Sequence, residues 1–141
     1  MDIESLSQSS VVSLLRFYVD TKQYSVVDRL AYATSPATAE YALYEAIRQI
    51  RSAKDRSIIA KRRREEKEEE VECCYYEVKK EGGEECEVGF EVEHNGVKYC
   101  CVTCPLIPRE DELEKIVKAI ESDLSVAAKL AALAMAYRAR R

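Results

Sequence analysis

Six cysteines are the residues of this 141-residue chain whose type and spacing most resemble a chemical site. Cys101 and Cys104 form a Cys-x-x-Cys pair of the kind that holds zinc. Cys73 and Cys74 are adjacent, so on a strand their side chains point to opposite faces, unlike the ligands on the tight turns of a zinc ribbon. We therefore predict no metal site and no cofactor, and favour disulfides or buried thiols, whose pairing the sequence leaves open. The candidates for disulfide bonds are Cys73, Cys74, Cys86, Cys100, Cys101 and Cys104.

Basic side chains form the second kind of candidate site. Cationic surfaces bind phosphate backbones without reading base sequence, so clustered lysines and arginines favour contact with nucleic acid. The alternative is a solvated helix face, because Lys61, Arg62 and Arg64 each precede a glutamate by four residues. The candidate nucleic-acid-binding residues are Arg48, Arg51, Lys61, Arg62, Arg63, Arg64, Arg138, Arg140 and Arg141.

Catalytic residues are not predicted. The chain has one histidine, His94, which adjoins the turn signal Asn95-Gly96 and reads as an exposed polar turn residue. The four glycines all lie between residues 82 and 96, so no glycine loop precedes a helix to hold phosphate. The carboxylates lie in charge runs or on a strand face, without an acid and a base in different environments. We expect a protein that is not an enzyme.

Charge and hydropathy indicate the setting of the protein. The net charge of −4 is divided into +4 over residues 1–64, −11 over 65–113 and +3 over 114–141. The first five residues are acidic and polar, unlike a signal peptide, and the apolar run 125–137 is too short to span a bilayer. We expect a cytoplasmic protein without a membrane partner. Cytosolic disulfides are common in hyperthermophilic archaea, which suggests an archaeal, thermophilic source.

Helical periodicity covers both ends of the chain. Apolar stripes predict a helix from Ser7 or Ser10 to residue 19 and a short helix after residue 25. Ser35 and Pro36 are suited to cap and begin a long third helix. That helix is predicted to continue into residues 61–70, whose lysines, arginines and glutamates favour helix, as a solvated extension or a frayed link into the next module. A last helical stretch runs from residue 109 to the C-terminus, with a break at residues 122–123.

A period of two replaces the helical period between residues 71 and 104. Strands are predicted over 71–78, 86–93 and 97–103, joined by turns at Gly82-Gly83 and Asn95-Gly96. The second turn pairs Phe90 with Cys101, and the first pairs Tyr75 with Phe90. The predicted fold class is α+β, mainly α: a helical bundle of four to five helices with an inserted three-stranded antiparallel β-meander. We expect a single domain, 1–141, with the bundle from 1–64 and 106–141 and the cysteine-rich β insertion at 71–104.

The order of these elements resembles the small subunit of the archaeal type I-A CRISPR surveillance complex, Cascade. In that family a helical bundle is interrupted by a variable β-stranded insertion, here residues 71–104 between helices at 7–57 and 109–141. The resemblance implies a subunit without an active site, present in several copies along the crRNA-bearing backbone. It would bridge the large subunit and help hold target DNA and the displaced strand in an R-loop through the basic residues named above.

The partners expected on this basis are the other subunits of a ribonucleoprotein complex, further copies of the chain, and single-stranded nucleic acid, bound weakly by the chain alone. Small alanines in the last helical stripe would let a partner helix approach closely. Two other interpretations stay open. One is a structural or regulatory protein of an archaeal virus or mobile element, and the other is a zinc-stabilised regulator.

Overall fold

The structure, a computed structural model, describes residues 1–80, 82–83 and 85–139. Over these residues the chain forms six α-helices and four β-strands. The helices are α1 (Ile3–Ser7), α2 (Ser10–Asp20), α3 (Tyr24–Ala31), α4 (Pro36–Asp55), α5 (Glu110–Ser122) and α6 (Ser125–Ala139). The strands are β1 (Ile58–Arg64), β2 (Lys67–Val78), β3 (Phe90–His94) and β4 (Val97–Thr103). The chain divides into a helical unit, Met1–Gln49 with Pro105–Arg141, and a β unit, Ile50–Cys104.

The core of the helical unit forms where α6 packs against α2 and α3. The apolar stripe of α2 buries Leu14, Leu15 and Tyr18, as its helical spacing requires. Burial raises the pKa of the Tyr18 hydroxyl, which donates a hydrogen bond to the carbonyl oxygen of Ala46. On α6 the buried positions include Leu130 and Ala131, and a small residue such as alanine allows neighbouring helices to approach closely.

The helix termini of this unit follow the capping residues in the sequence. α4 begins at Pro36, and Ser35 accepts a hydrogen bond from the Thr38 N–H at 3.2 Å, which confirms the predicted start. The predicted break at residues 122–123 is also confirmed, because α5 ends at Ser122 and α6 begins at Ser125. A long-range bond joins α5 to α2: Glu112 accepts from the Ser10 N–H at 2.7 Å, and so satisfies a donor that the helix cannot.

The predicted helical extension through residues 61–70 is wrong. α4 ends at Asp55, and residues 58–64 and 67–78 form the antiparallel strands β1 and β2. The charge runs that favoured a helix instead face each other across the hairpin, with Arg62 opposite Glu69 and Arg63 opposite Glu68. Opposite charges on directly paired residues stabilise two strands as well as they stabilise successive helical turns.

The predicted bundle with a three-stranded meander is therefore corrected to helices plus a closed antiparallel barrel with strand order β1-β2-β4-β3. The Asn95-Gly96 hairpin is confirmed, since Phe90 pairs with Cys101. The hairpin expected at Gly82-Gly83 is wrong, because β2 pairs with β4 instead of with β3, and Tyr75 lies opposite Val102. The fourth strand, β1, then closes the sheet against β3, which removes the exposed edges that a meander would leave.

The interior of the barrel is small and apolar. Its fully buried cluster consists of Ala60, Cys73, Val92 and Cys101, one residue from each strand. Partly buried side chains pack around that cluster: Ile58, Val71, Phe90 and Tyr99. Strand alternation explains this set, because Ile58 and Ala60 point inward from β1 while Lys61 and Arg63 are exposed.

Candidate nucleic-acid interface

The six cysteines, all within described residues, form three disulfides in the β unit. The bonds are Cys73–Cys101, Cys74–Cys104 and Cys86–Cys100, with Cα atoms 5.6, 4.7 and 5.6 Å apart. These separations are ordinary for disulfides. Two of the bonds join the β2 strand to β4 or to the residue that follows it. The predicted meander could not offer this pairing, because it placed another strand between the two.

One cluster of metal-type ligands accompanies these bonds. Among described residues, ligand atoms of Glu72, Cys74 and Cys104 lie within 4.8 Å of one another. The two sulfur atoms are bonded to each other, and a disulfide sulfur is not the thiolate that zinc requires. The Glu72 carboxylate accepts a hydrogen bond from the Ser57 hydroxyl at 3.0 Å. The cluster therefore serves as a cross-link with a carboxylate beside it.

The basic run 61–64 lies along β1 instead of on a helix. Lys61, Arg63 and Arg64 are exposed, whereas Arg62 is half-buried and approaches a Glu69 oxygen at 3.9 Å. Alternation along the strand causes this division, since the inward positions of β1 include Ala60 and Arg62. β1 thus presents three cations to solvent and holds one guanidinium against the barrel.

A cleft of about 840 Å³ opens on the β unit where β1 meets β3. In the described residues the two strands pair at one position, Lys61 opposite Glu93. The side chains that give the cleft its chemistry are Ile59, Lys61, Arg62, Arg63, Phe90 and His94. Clefts of roughly 300–1,000 Å³ are the size that small ligands occupy in proteins. The arrangement combines cations, an aromatic ring and apolar surface in one concave site.

Arg62 and Phe90 form the floor of this cleft. The guanidinium carbon of Arg62 lies 3.9 Å from the centroid of the Phe90 ring, a cation–π contact. Phe90 is placed by the preceding residue, Gly89, which has φ +75° and no room for a Cβ atom beside the Cys101 carbonyl. Only glycine adopts this conformation freely, so it sets where β3 begins. The contact holds the guanidinium, a planar group on which a base can stack, against the ring.

His94 closes the cleft on the β3 side. It is half-buried, and its Nδ1 lies 3.0 Å from the carbonyl oxygen of Ile59 on β1. Asn95 Nδ2 lies 3.3 Å from His94 Nε2. A neutral ring with its proton on Nδ1 satisfies both contacts, because Nδ1 then donates and Nε2 accepts. The residue predicted to be an exposed turn histidine is thus a bridge between the two strands at the seam.

Carboxylates offset part of the positive charge in the cleft. Glu91 accepts a hydrogen bond from Lys79 Nζ at 2.6 Å, and this contact lowers the pKa of Glu91. Glu93 lies opposite Lys98 in the β3–β4 register, and Glu68 lies opposite Arg63. Each cleft carboxylate therefore has a cation beside or across from it. The cleft thus carries charges of both signs and is not strongly negative.

The other predicted cations lie on helices. Arg48 of α4 binds both Glu45 oxygens at 2.8 Å, which lowers the pKa of that carboxyl, and its side chain stays 75% exposed. Arg51 lies on the same helix and is exposed. Arg138 is in α6 without a described side chain. Arg140 and Arg141 lie outside the described residues. Of the predicted cations, the structure brings Lys61, Arg62 and Arg63 together at one cleft of the β unit.

Exposed tyrosines accompany the helical arginines, a feature that sequence reasoning missed. Tyr41 and Tyr44 of α4 are 66% and 53% exposed, and Tyr41 shares Glu45 with Arg48 through a 3.3 Å contact. Positions 41, 44 and 48 are three and four residues apart, so they follow one face of the helix. That spacing was present in the sequence as a signal. Phe90 and His94 of the cleft had no such local signal, because β3 joins β1 only in the closed barrel.

Comparison with known proteins identifies the family. No helix in the described part of the chain is long and apolar enough to cross a membrane. No curated protein matches the sequence significantly. The profile of one family, described as CRISPR-associated protein (Cas_Csa5), matches residues 14–137 and therefore covers most of the helical unit and the whole β unit. This chain belongs to the CRISPR-associated Cas_Csa5 protein family.

Proposed function

We propose that the chain is a non-catalytic small subunit of a CRISPR RNA-guided surveillance complex of type I-A, the archaeal Cascade. In this proposal several copies line the crRNA-bearing backbone, bridge it to the large subunit and help hold target or displaced DNA in the R-loop. The observation that carries the proposal is the family match over residues 14–137. The match spans the barrel and most of the helical unit, so the proposed role draws on both.

Exposed cations support the nucleic-acid part of the proposal. Lys61, Arg63 and Arg64 on β1 and Arg51 on α4 are exposed, and an exposed cation can release counterions from a phosphate backbone on binding. The acidic remainder of the β unit opposes that attraction. Binding by the isolated chain should therefore be weak and strongly dependent on salt. In a complex that already positions the DNA, each of these contacts would add to the affinity for the DNA.

The bridging part draws support from the exposed face of α4. Tyrosine and arginine are among the residues enriched at the energetic centres of protein interfaces, and Tyr41, Tyr44 and Arg48 lie together on that face. The non-catalytic part draws support from the single histidine. Both ring nitrogens of His94 lie within hydrogen-bonding distance of neighbouring groups, so the ring acts as a structural bridge.

The test is reconstitution of the complex with and without this chain. Affinity purification from the native host, followed by mass spectrometry and RNA sequencing, should recover larger CRISPR subunits and crRNA. A complex assembled without the chain should form a less stable R-loop, measured as faster loss of labelled target DNA. The proposal is wrong if the purified chain brings down neither crRNA nor other subunits, or if its omission leaves target retention unchanged.

A matched pair of variants separates the bridging role from simple stability. Tyr41→Ala with Tyr44→Ala removes exposed rings from α4, and Tyr32→Ala removes another exposed ring, from the C-terminal end of α3. The double variant should lose incorporation into the complex while the control is incorporated normally. Equal incorporation of both proteins would contradict bridging through α4.

A further inference from the structure

The cleft between β1 and β3 has the chemistry of a site for nucleotides. An aromatic ring with a guanidinium against it offers a flat surface for a base, and Arg62 and Phe90 provide that pair at 3.9 Å. Exposed Lys61 and Arg63 stand on the same strand, one residue to either side of Arg62. Cations beside a stacking surface are what binding of a single strand requires, because the backbone needs charge and the base needs a π-face.

We propose that this cleft binds single-stranded nucleic acid, with a base stacked on the Arg62–Phe90 pair and the backbone phosphates held by Lys61 and Arg63. The inference rests on the proposed function and gives its nucleic-acid contact a location. It also assigns a role to the closed barrel, because the cleft exists only where β1 lies beside β3.

The balance of charge favours one strand over a duplex. Four cations line the cleft, Lys61, Arg62, Arg63 and Lys98, against three carboxylates. Glu91 is held by Lys79, whereas Glu93 and Glu68 lie opposite Lys61 and Arg63 in the strand register. Both cations are exposed on the β1 rim, where their long side chains can reach a bound phosphate instead of these carboxylates. With two available cations the electrostatic contribution is small, and stacking must supply much of the affinity. A duplex keeps its bases stacked internally and cannot use the Arg62–Phe90 surface.

The barrel holds this surface in place before any ligand binds. Gly89 fixes the start of β3, the Phe90 ring packs against the buried cluster, and His94 bonds to Ile59 across the seam. A stacking group that is already immobile loses little conformational entropy on binding. The cleft is consequently a preformed site on a barrel whose β2 and β4 strands are covalently joined.

The experiment uses the full, oxidised chain and a short fluorescent oligothymidylate, with binding followed by anisotropy at several salt concentrations. Phe90→Leu should weaken binding by about fivefold or more, the equivalent of one lost stacking contact. Arg62→Lys keeps the charge but loses the planar group, and should also weaken binding. Lys61→Gln with Arg63→Gln should reduce the slope of log affinity against log salt by roughly 0.7 for each charge.

The control is Lys115→Gln with Lys118→Gln, which removes two exposed charges from α5. If the oligonucleotide binds at the cleft, this control should change neither its affinity nor the salt dependence of that affinity.

Several results would overturn the assignment. One is wild-type affinity in all three cleft variants, and another is no strand binding by the wild-type chain at low salt. Binding of a fluorescent nucleoside monophosphate without any strand binding would assign the cleft to a small molecule instead. If Phe90→Leu loses its native circular dichroism, the Arg62→Lys and double-glutamine variants decide the question. The failure of the proposed function is distinguishable, because loss of target retention on omission of the chain is measured without reference to the cleft.

Discussion

Gly89 lies against the backbone carbonyl of Cys101 so closely that a single Cβ atom would collide with its oxygen. Gly89 also has φ +75°, a conformation that side chains rarely adopt. We predict that Gly89→Ala lowers the free energy of unfolding by about 3 kcal/mol or more, since strain and overpacking add. Gly96→Ala is the control, because it shares a positive φ but has open space around it, and should cost only about 1 kcal/mol. Equal costs in urea denaturation would show that the β3–β4 contact is loose.

The turn between β1 and β2 offers a stabilising change. Glu65 and Glu66 have φ of 49° and 66°, where residues other than glycine and asparagine are strained. Glu65→Asn with Glu66→Gly provides the residues that such a two-residue turn prefers and should raise the free energy of unfolding by about 1 kcal/mol. The same pair of changes at Glu69 and Glu70, within β2, should instead lower it. A stabilising effect at both places would mean that removal of negative charge is the cause.

The disulfides should differ in their contribution to stability. Cys73–Cys101 spans 28 residues and its sulfurs are in the buried cluster, whereas Cys86–Cys100 spans 14 residues. Replacement of either pair by alanine should cost about 3 kcal/mol, and the longer, buried bond should cost more. Thermal unfolding of the two variants checks this order. The reverse order, or equal melting temperatures for oxidised and reduced wild-type protein, would contradict a stabilising role for the bonds.

One pH dependence follows from the ion pair of Glu91 and Lys79. The hydrogen bond from Lys79 lowers the pKa of Glu91 in the folded protein, so the pair stabilises the fold above the unfolded-state pKa of the carboxyl. That stabilisation is lost as the pH falls through the lower, folded-state pKa. Because Glu91 is half-exposed, the contribution should stay below about 1 kcal/mol. Lys79→Met should remove this part of the acid dependence in denaturation titrations, and Lys80→Met should leave it unchanged.

Local chemistry accounts for the parts of the fold that were predicted correctly. Asn95-Gly96 prefers one turn type, and that turn alone determines the register of Phe90 and Cys101. The first hairpin was missed because its turn is Glu65-Glu66, without the glycine or asparagine that marks such turns. Lysine, arginine and glutamate favour helices when they follow one, and only the pairing of β1 with β2 and β3 converts the run into a strand.

The basic residues of the candidate site were predictable from the sequence, whereas their partners across the cleft were not. Lys61, Arg62 and Arg63 were recognisable as a basic cluster from their sequence alone. Their partners in the cleft, Phe90 and His94, lie about thirty residues later and reach them only when β3 closes the barrel against β1. The charge pattern of the sequence shows which groups can bind a phosphate. Which aromatic ring lies beside them depends on the pairing of β1 with β3, which are far apart in the sequence.

The three disulfides also determine when the β unit can mature during synthesis. Each bond has one cysteine among Cys100, Cys101 and Cys104, which lie within β4 or directly after it. No native disulfide can therefore form until the cysteines of this segment have emerged from the ribosome. Until then Cys73, Cys74 and Cys86 emerge as thiols with only each other to react with, so oxidation that comes too early would join the wrong partners. The order of residues along the chain thus makes folding of β4 the step that protects every disulfide in the protein.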